Sequence, residues 1–277
     1  MATRRPQATG GAEALGARRN GPVDWVRADV RDESSVAKAV AGACGVVNAV
    51  SLYVEQGAAT FRAVHVEGAA NVARQAQGAG VPVLVHISGI GADPSSPSPY
   101  IRCRAQGESA VRETFARPTI VRPSVMFGTD DGFLNSLVQV VSLFPAIPLF
   151  GDGGTRLQPV WVGDVGAAAA RLFAVGAARA ETYEFGGPKV YTYRELLDLV
   201  AARLHKRRVF LPMPFEAWRV AAAAGRFLPG FPVSASQVDL MRQDNLATGG
   251  YPALSDLDID PRPLEDVLDR IAERRRA

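Results

Sequence analysis

The fold is decided by a stretch that reads VPVLVHISGIGADPSSPSPYIRCRAQGESAVRETFARPTIVRPSVMFG (81–128). Its first part (81–89) and its last part (119–128) are short, mainly apolar runs, a pattern typical of parallel strands that are buried on both faces. The segment between them, YIRCRAQGESAVRETFA (100–116), is long enough for a crossover helix. The stretch therefore predicts a strand–helix–strand unit with parallel strands.

The same alternation continues on the N-terminal side. VDWVRADV (23–30) and GVVNAVS (45–51) are predicted strands, and helices are predicted at DESSVAKAVAGA (32–43) and across 58–80. We expect an α/β fold, a Rossmann-type doubly wound parallel sheet that binds its ligand at the carboxyl ends of the strands. From about residue 145 Pro and Gly become frequent. This divides the chain into a dinucleotide-binding domain (1–145) and a smaller C-terminal α/β portion (146–277) interleaved with the sheet.

Composition narrows the class of protein. The chain has 277 residues, 47% of them hydrophobic and 21% charged, which is ordinary globular composition. A net charge of +3 with scattered basic residues does not favour nucleic-acid binding. The two cysteines lack CxxC spacing, so we expect neither a disulfide framework nor a metal site, and a reducing, cytoplasmic setting. No run reaches the roughly 18 apolar residues of a transmembrane segment.

One expected motif is missing. Rossmann-type folds open with a strand, a Gly-rich turn and a helix whose N-terminus holds the cofactor pyrophosphate. No GxGxxG precedes the first predicted strand, and in SGIGAD (88–93) proline and serine follow the glycines, so that stretch is predicted to be a loop.

YIRCR (100–104) places a Tyr and a base one helical turn apart after such a strand and loop. With it, the sequence resembles the atypical extended short-chain dehydrogenase/reductases. More narrowly, it resembles the nucleotide-binding accessory subunit of respiratory complex I (alpha-subcomplex subunit nine) and its bacterial relatives. The matching stretches are LVHISGIGAD, SPYIRCRAQGESAVRE, RPSVMFGTDDGFLN, LQPVWVGDV, ASQVDLMRQDN and YPALSDLDIDPRPLEDVL.

The resemblance implies that a strand, a Gly-rich turn, a helix and the start of a second strand precede ATRRP (2–6). The sheet is therefore expected to be N-terminally truncated, through a start codon placed too late or a fragmentary gene. The alternative interpretation makes these arginines part of a charged, disordered N-terminus.

The resemblance also implies a catalytic set of Ser88, Tyr100 and Arg104. In such reductases Tyr exchanges the proton, and Lys lowers its pKa and holds the nicotinamide ribose. Arg104 can supply the charge and the hydrogen bonds but cannot relay a proton, because arginine stays protonated. A cofactor clamp with little turnover is thus expected, while a working catalytic pair and a plain helix start remain alternatives.

Cofactor contacts are implied at the strand ends, with NADP as the expected dinucleotide and NAD as the alternative. They are Arg4 and Arg5 at the 2′-phosphate, Asp29 and Val30 at adenine, Ala49, Val50 and Ser51 at the ribose and pyrophosphate, and Pro123 and Ser124 on the nicotinamide side, together with Ser88, Tyr100 and Arg104.

Two functions follow as hypotheses. The first is an NAD(P)H-binding, complex I accessory-subunit-like protein with a mainly structural or assembly role, of which a sensor that binds NAD(P)H without turnover is a variant. The second is an NAD(P)-dependent reductase or epimerase acting on a nucleotide sugar or another carbonyl or alcohol. The first hypothesis implies complex I subunits as partners and a peripheral location on the inner membrane. A helix is predicted in PFEAWRVAAAAGRF (214–227). It is either the docking face for these partners or a helix packed on its own domain.

Overall fold

The computed structural model describes residues 2–3, 24–174, 181–225 and 235–274. Its strands are β1 (Ala2–Thr3), β2 (Val26–Arg27), β3 (Val46–Asn48), β4 (Leu84–Ile87), β5 (Thr119–Pro123), β6 (Met126–Phe127), β7 (Ala146–Phe150), β8 (Arg156–Leu157), β9 (Val160–Trp161), β10 (Thr182–Phe185), β11 (Tyr191–Thr192) and β12 (Val209–Met213). Its α-helices are α1 (Glu33–Val40), α2 (Gly68–Gly78), α3 (Pro99–Thr114), α4 (Gly132–Leu143), α5 (Val162–Ala174), α6 (Tyr193–Arg203), α7 (Phe215–Gly225), α8 (Ala235–Leu240) and α9 (Leu264–Arg274). A π-helix (Arg62–Glu67) leads into α2, and a 3₁₀ turn spans Leu254–Leu257.

The main sheet has four parallel strands in the order β10-β5-β4-β3. Successive side chains of a strand point to opposite faces. Leu84 and Ile120 accordingly join a core with α1, α2 and α3, whereas Val85 and Val121 join a second core with α5. The sheet is thus covered on both faces, and the predicted Rossmann-type α/β fold is confirmed. The loop predicted across SGIGAD is also present, because no helix starts between β4 and Pro99.

The N-terminal strands are shorter than predicted. The strand expected over 23–30 is described from residue 24, and in that part only Val26–Arg27 is paired, in parallel with Ala2–Thr3. Within the described residues no ladder joins this pair to the main sheet, and β3 is an edge strand. Val47 of β3 is 40% exposed, although the continuous apolar run predicts a strand buried on both faces.

The chain after residue 145 contributes to both parts of the molecule. β10 pairs with β5 from Thr182 opposite Ile120 to Phe185 opposite Pro123, so this later portion completes the main sheet. The remainder builds its own core from α4, α6, α9 and the β7–β12 pair. The division at residue 145 stays a prediction.

Helix α7 lies on this second core. Trp218 is buried, its ring centroid lies 4.5 Å from that of Phe150, and its indole N–H donates to the carbonyl oxygen of Leu149 at 2.8 Å. Of the two alternatives for this helix, packing on its own domain is therefore correct for the face that carries Trp218. Throughout the described segments, every helix is too short or too polar to cross a bilayer.

Candidate functional site

The predicted site residues lie at the carboxyl ends of parallel strands. Ala49–Ser51 follow β3, Ser88 follows β4, and Pro123 and Ser124 lie at the end of β5. Because these three strands are neighbours in one parallel sheet, their ends meet at the same edge. Asp29 and Val30 follow β2 in the separate two-stranded pair.

Tyr100 and Arg104 form a direct pair at the start of α3. The guanidinium Nη1 of Arg104 donates to the Tyr100 hydroxyl at 2.6 Å, as expected for side chains one helical turn apart. The same guanidinium lies against Gly89, where an added Cβ would come within 3 Å of three of its atoms. A residue without a side chain directly after Ser88 is what lets Arg104 reach the end of β4.

Aromatic side chains enclose Tyr100, which is only 2% exposed. Tyr53 stacks on it with ring centroids 5.7 Å apart, while Phe61 and His65 meet it edge-on at 5.5 Å. Tyr53 and Phe61 were not predicted as site residues, because Tyr53 belongs to no motif and Phe61 is an ordinary apolar residue of the helix predicted across 58–80. The pair is therefore the centre of an aromatic cage (Tyr53, Phe61, His65, Tyr100).

His65 lies on the π-helix, a rare element that is frequent at functional sites. Gly107 of α3 brings this segment close, since a Cβ at that position would overlap the carbonyl oxygen of His65. The His65 Nε2 lies 3.0 Å from the Leu52 oxygen and 3.3 Å from its nitrogen. Burial, with a smaller contribution from the Arg104 charge, lowers the pKa of His65 to about 4. His65 is therefore neutral at pH 7 and adds no charge to the cage.

A second charged cluster lies one turn further along α3. The Glu108 carboxylate is buried and accepts from Arg122 Nε at 2.9 Å and Nη2 at 2.8 Å. Burial raises the pKa of Glu108, but the Arg122 hydrogen bonds and the charges of Arg122 and Arg112 hold it below its usual value. Arg122 also lies 3.7 Å from Glu184, which accepts from Thr248 Oγ1 at 2.7 Å. This Glu108–Arg122 network joins α3, β5, β10 and the C-terminal segment.

Ser88 directly follows β4 and precedes Gly89, the residue that lies against Arg104. Its backbone N–H donates to Val121 at 2.7 Å, which fixes the end of β4 against β5. Among the described residues the Ser88 hydroxyl is buried and has no hydrogen-bond partner, neither Tyr100 nor Glu108.

The nicotinamide-side residues are buried. Ser124 Oγ donates to the side-chain oxygen of Asn245 at 2.7 Å, and that oxygen also accepts from the Val125 N–H at 2.8 Å. Asn245 was missed as a site residue because it lies 121 positions away in sequence. Pro123 is buried in the sheet, and its carbonyl oxygen accepts from the Ile90 N–H at 3.1 Å.

The adenosine-side residues are more open. Ala49, Val50 and Ser51 are exposed. The Asp29 carboxylate accepts from Arg31 Nε at 3.0 Å and Nη2 at 2.7 Å, and the Val30 carbonyl oxygen accepts from Asn71 at 3.0 Å. Arg4 and Arg5 lie outside the described residues.

Arg104 differs electrostatically from the other cations of this region. Its hydrogen bond goes to a neutral phenol, and no carboxylate of the described residues forms a salt bridge with it. Its positive charge therefore remains available to an anionic or hydroxyl-rich ligand at the strand ends, such as the ribose and phosphates of a dinucleotide.

Comparisons with known proteins agree with this arrangement. A family model described as NAD(P)H-binding matches residues 11–141. The chain is 32% identical over 256 residues to the mitochondrial NADH dehydrogenase (ubiquinone) 1 alpha subcomplex subunit 9 of Arabidopsis thaliana, covering 88% of this chain and 64% of the plant protein. The mitochondrial NADH-ubiquinone oxidoreductase 40 kDa subunit of Neurospora crassa is 29% identical over 242 residues, covering 87% of this chain and 64% of the fungal protein. The chain thus spans just under two thirds of the length of these relatives.

Solved structures share the fold. The NADPH-dependent quinone oxidoreductase of Escherichia coli, solved with NADPH, superposes with a TM-score of 0.73 at 18% identity, covering 98% of this chain and 89% of that one. The triphenylmethane reductase of Citrobacter sp., solved with NADP(H), gives a TM-score of 0.69 at 20% identity, with coverage of 98% and 89%. At these identities the likeness shows the Rossmann-type fold alone.

Proposed function

Since the chain carries an NAD(P)H-binding domain and is homologous to alpha-subcomplex subunit 9 of respiratory complex I, we propose that it holds a dinucleotide mainly as a structural component, with little or no turnover. The cofactor is NADP, with NAD as the alternative. The chain would act as an accessory or assembly component of a complex I-like enzyme, in line with what the relatives' names describe.

The observation that carries this proposal is the Tyr100–Arg104 pair. A reductase tyrosine has to exchange a proton with its substrate, and a neighbouring base has to pass that proton on. Here the tyrosine is enclosed by the aromatic cage, and its hydroxyl is held by a guanidinium that does not deprotonate. The neutral His65 at 5.5 Å contacts the ring rather than the hydroxyl in this geometry. The pair is suited to clamping a ribose and poorly suited to proton relay.

The dinucleotide would lie along the strand ends. Arg104 would hold the nicotinamide ribose, and the exposed residues Ala49–Ser51 would leave room for the adenosine ribose and pyrophosphate. Asp29 and Val30 would contact adenine, and Arg4 and Arg5 the 2′-phosphate. Pro123 and Ser124 would contact the nicotinamide through backbone atoms, since the Ser124 hydroxyl is already bonded to Asn245.

A reductase or epimerase is the second candidate, and the retained Ser88 and Tyr100 favour it. In that case Ser88 would polarise the substrate oxygen and Tyr100 would donate the proton. Its weakness is that no hydrogen bond joins the Ser88 and Tyr100 hydroxyls within the described residues, and that the Tyr100 hydroxyl accepts from Arg104.

Binding and turnover separate the two candidates. NADPH and NADH should be titrated into the whole protein by cofactor fluorescence, and cofactor oxidation followed with a panel of aldehydes, ketones and nucleotide sugars. We expect saturable NADPH binding with negligible oxidation of the bound NADPH, and at most traces of activity in Arg104→Lys. Robust oxidation by the unmodified protein would favour the second candidate, and failure to bind either cofactor would reject both.

The assembly role needs its own test. Tagged protein expressed in its own cells should co-purify with subunits of an NADH dehydrogenase from solubilised membranes. A protein recovered alone, while still binding NADPH, would reject the assembly role and leave the binding role intact.

A further inference from the structure

A cavity of about 510 Å³ lies beside the proposed dinucleotide site. This volume is within the range of roughly 300–1,000 Å³ found for small-molecule sites. Its walls come from the loop after β4 (Ile90, Gly91), from α3 (Ile101), and from α4, β7 and α6 of the second core. Leu240 lines the cavity and also packs against the cluster that contains Tyr100, so the two sites share a wall.

The lining of this cavity is apolar and offers no free charge. Leu137, Val140 and Phe150 are typical of its wall. Asp244 is the acidic residue of the lining, and both of its oxygens accept from Arg156, at 2.6–2.8 Å. A phosphate or a sugar would have to give up its hydration here without charged partners, which is costly. The lining therefore selects against nucleotide sugars.

One polar group in the wall stands out. Tyr193 is buried and lines the cavity, yet within the part of the chain that the structure describes its hydroxyl has no hydrogen-bond partner. Burial raises the pKa of Tyr193 to about 12, so the phenol is protonated and can donate. Buried tyrosine hydroxyls usually find a partner. Two other polar side chains of the lining are engaged within the described residues: the Ser136 hydroxyl donates to the Phe133 carbonyl oxygen at 2.7 Å, and the Asn245 side-chain oxygen accepts from Ser124 and Val125.

We propose that this cavity binds a neutral, largely hydrocarbon molecule carrying one acceptor oxygen, such as a ketone or other carbonyl, that takes a hydrogen bond from Tyr193. The apolar wall supplies affinity through burial of the chain, and the phenol supplies orientation. The site is built by residues of α3, α4, α6, α7, α8 and β7 and by the loop after β4, so its occupancy does not require a bound dinucleotide.

The test uses the whole protein without cofactor and two probes of equal chain length, 2-undecanone and undecane, with binding followed by calorimetry and by Trp218 emission. The wild type should bind the ketone more tightly than the hydrocarbon. Tyr193→Phe should weaken ketone binding about fivefold to tenfold, the share of one hydrogen bond of about 1 kcal/mol, and leave undecane unchanged.

Val140→Phe narrows the cavity and should weaken the binding of both probes. Leu143→Phe, on the same helix but exposed and outside the lining, is the matched control and should bind like the wild type. Equal ketone affinity in Val140→Phe and Leu143→Phe would overturn the site. Unchanged ketone affinity in Tyr193→Phe would overturn the role of the phenol, and tighter binding of UDP-glucose than of the ketone would overturn the ligand class. None of these results depends on NADPH binding, so the proposed function is tested separately.

Discussion

Two arginines at one edge of the sheet have opposite environments. Arg122 of β5 donates two hydrogen bonds to the buried Glu108 carboxylate and lies near Glu184 and the ring of Tyr251. Arg104 of α3 has a phenol and the Gly89 peptide beside it, and no carboxylate of the described residues forms a salt bridge with it. Both cations are partly buried, but only Arg122 has its charge balanced by the protein.

This difference separates a structural from a functional cation. A buried charge is tolerated when partners compensate it, and the compensated pair then resists disruption. A charge without such a partner at the strand ends costs stability unless a ligand uses it. The Glu108–Arg122 network thus holds α3 on the sheet. Arg104 is the positive charge that α3 presents to the cofactor.

Breaking the compensated pair should have the largest effect. In Glu108→Gln the Arg122 guanidinium loses its main counter-charge in a buried setting, which costs about 3–5 kcal/mol of the free energy of unfolding. Glu33→Gln removes a half-exposed partner of Arg74 and should cost less than about 1 kcal/mol. Both losses are measured by urea denaturation at pH 7. Equal losses would contradict the structural role of Glu108–Arg122.

Acid should destabilise the protein through the histidines beside Arg104. Burial is the main cause that lowers the pKa of His65 and of His86 to about 4, and Arg104 lowers both further. The unfolded chain binds these protons near pH 6.5 and the folded chain only near pH 4, so stability is full above about 6.5 and falls as the pH drops toward 4.

At pH 5 the loss should be roughly 2 kcal/mol for each histidine, relative to pH 7.5. His65→Gln should show about half of the wild-type loss between these two pH values in urea denaturation. The interval from pH 5 to pH 7.5 lies above the pH range in which Glu108 takes up protons, because the pKa of Glu108 is lowered. If His65→Gln loses as much unfolding free energy between pH 7.5 and pH 5 as the wild type, the acid sensitivity comes from other groups.

Removing the uncompensated charge should affect the cofactor more than the fold. Arg104→Met loses a charged donor to the ribose or phosphates, so NADPH should bind about tenfold to a hundredfold more weakly, while the urea midpoint changes little. Arg74→Met removes an exposed charge elsewhere and should bind NADPH like the wild type. If both variants bind equally well, Arg104 is not the clamp.

The sequence predicted those structural features around the two arginines that depend on local spacing. The apolar runs at 81–89 and 119–128 predicted β4 and β5, and a one-turn separation predicted that Tyr100 and Arg104 would meet. Ser88 and Ser124 were placed at strand ends by the parallel pattern alone.

The compensating partners were beyond sequence reasoning, because they are set by tertiary packing. Glu108 reads as an ordinary helix residue until β5 brings Arg122 beside it, 14 positions away. Asn245 reaches Ser124 across 121 positions. The edge exposure of β3 could not be predicted either, since an apolar run such as GVVNAVS indicates burial on both faces whichever strands surround it.

Direct measurement of hydride transfer tests the central claim, which is that this chain holds its dinucleotide without turning it over. The whole protein is saturated with NADPH deuterated at the transferable C4 position and incubated with the carbonyl panel, and the products are examined by mass spectrometry for deuterium. The account predicts that NADPH is bound and no product carries the label, in the wild type as in Tyr100→Phe. Labelled product from the wild type that disappears in Tyr100→Phe would contradict it and make the Tyr100–Arg104 pair a working active site.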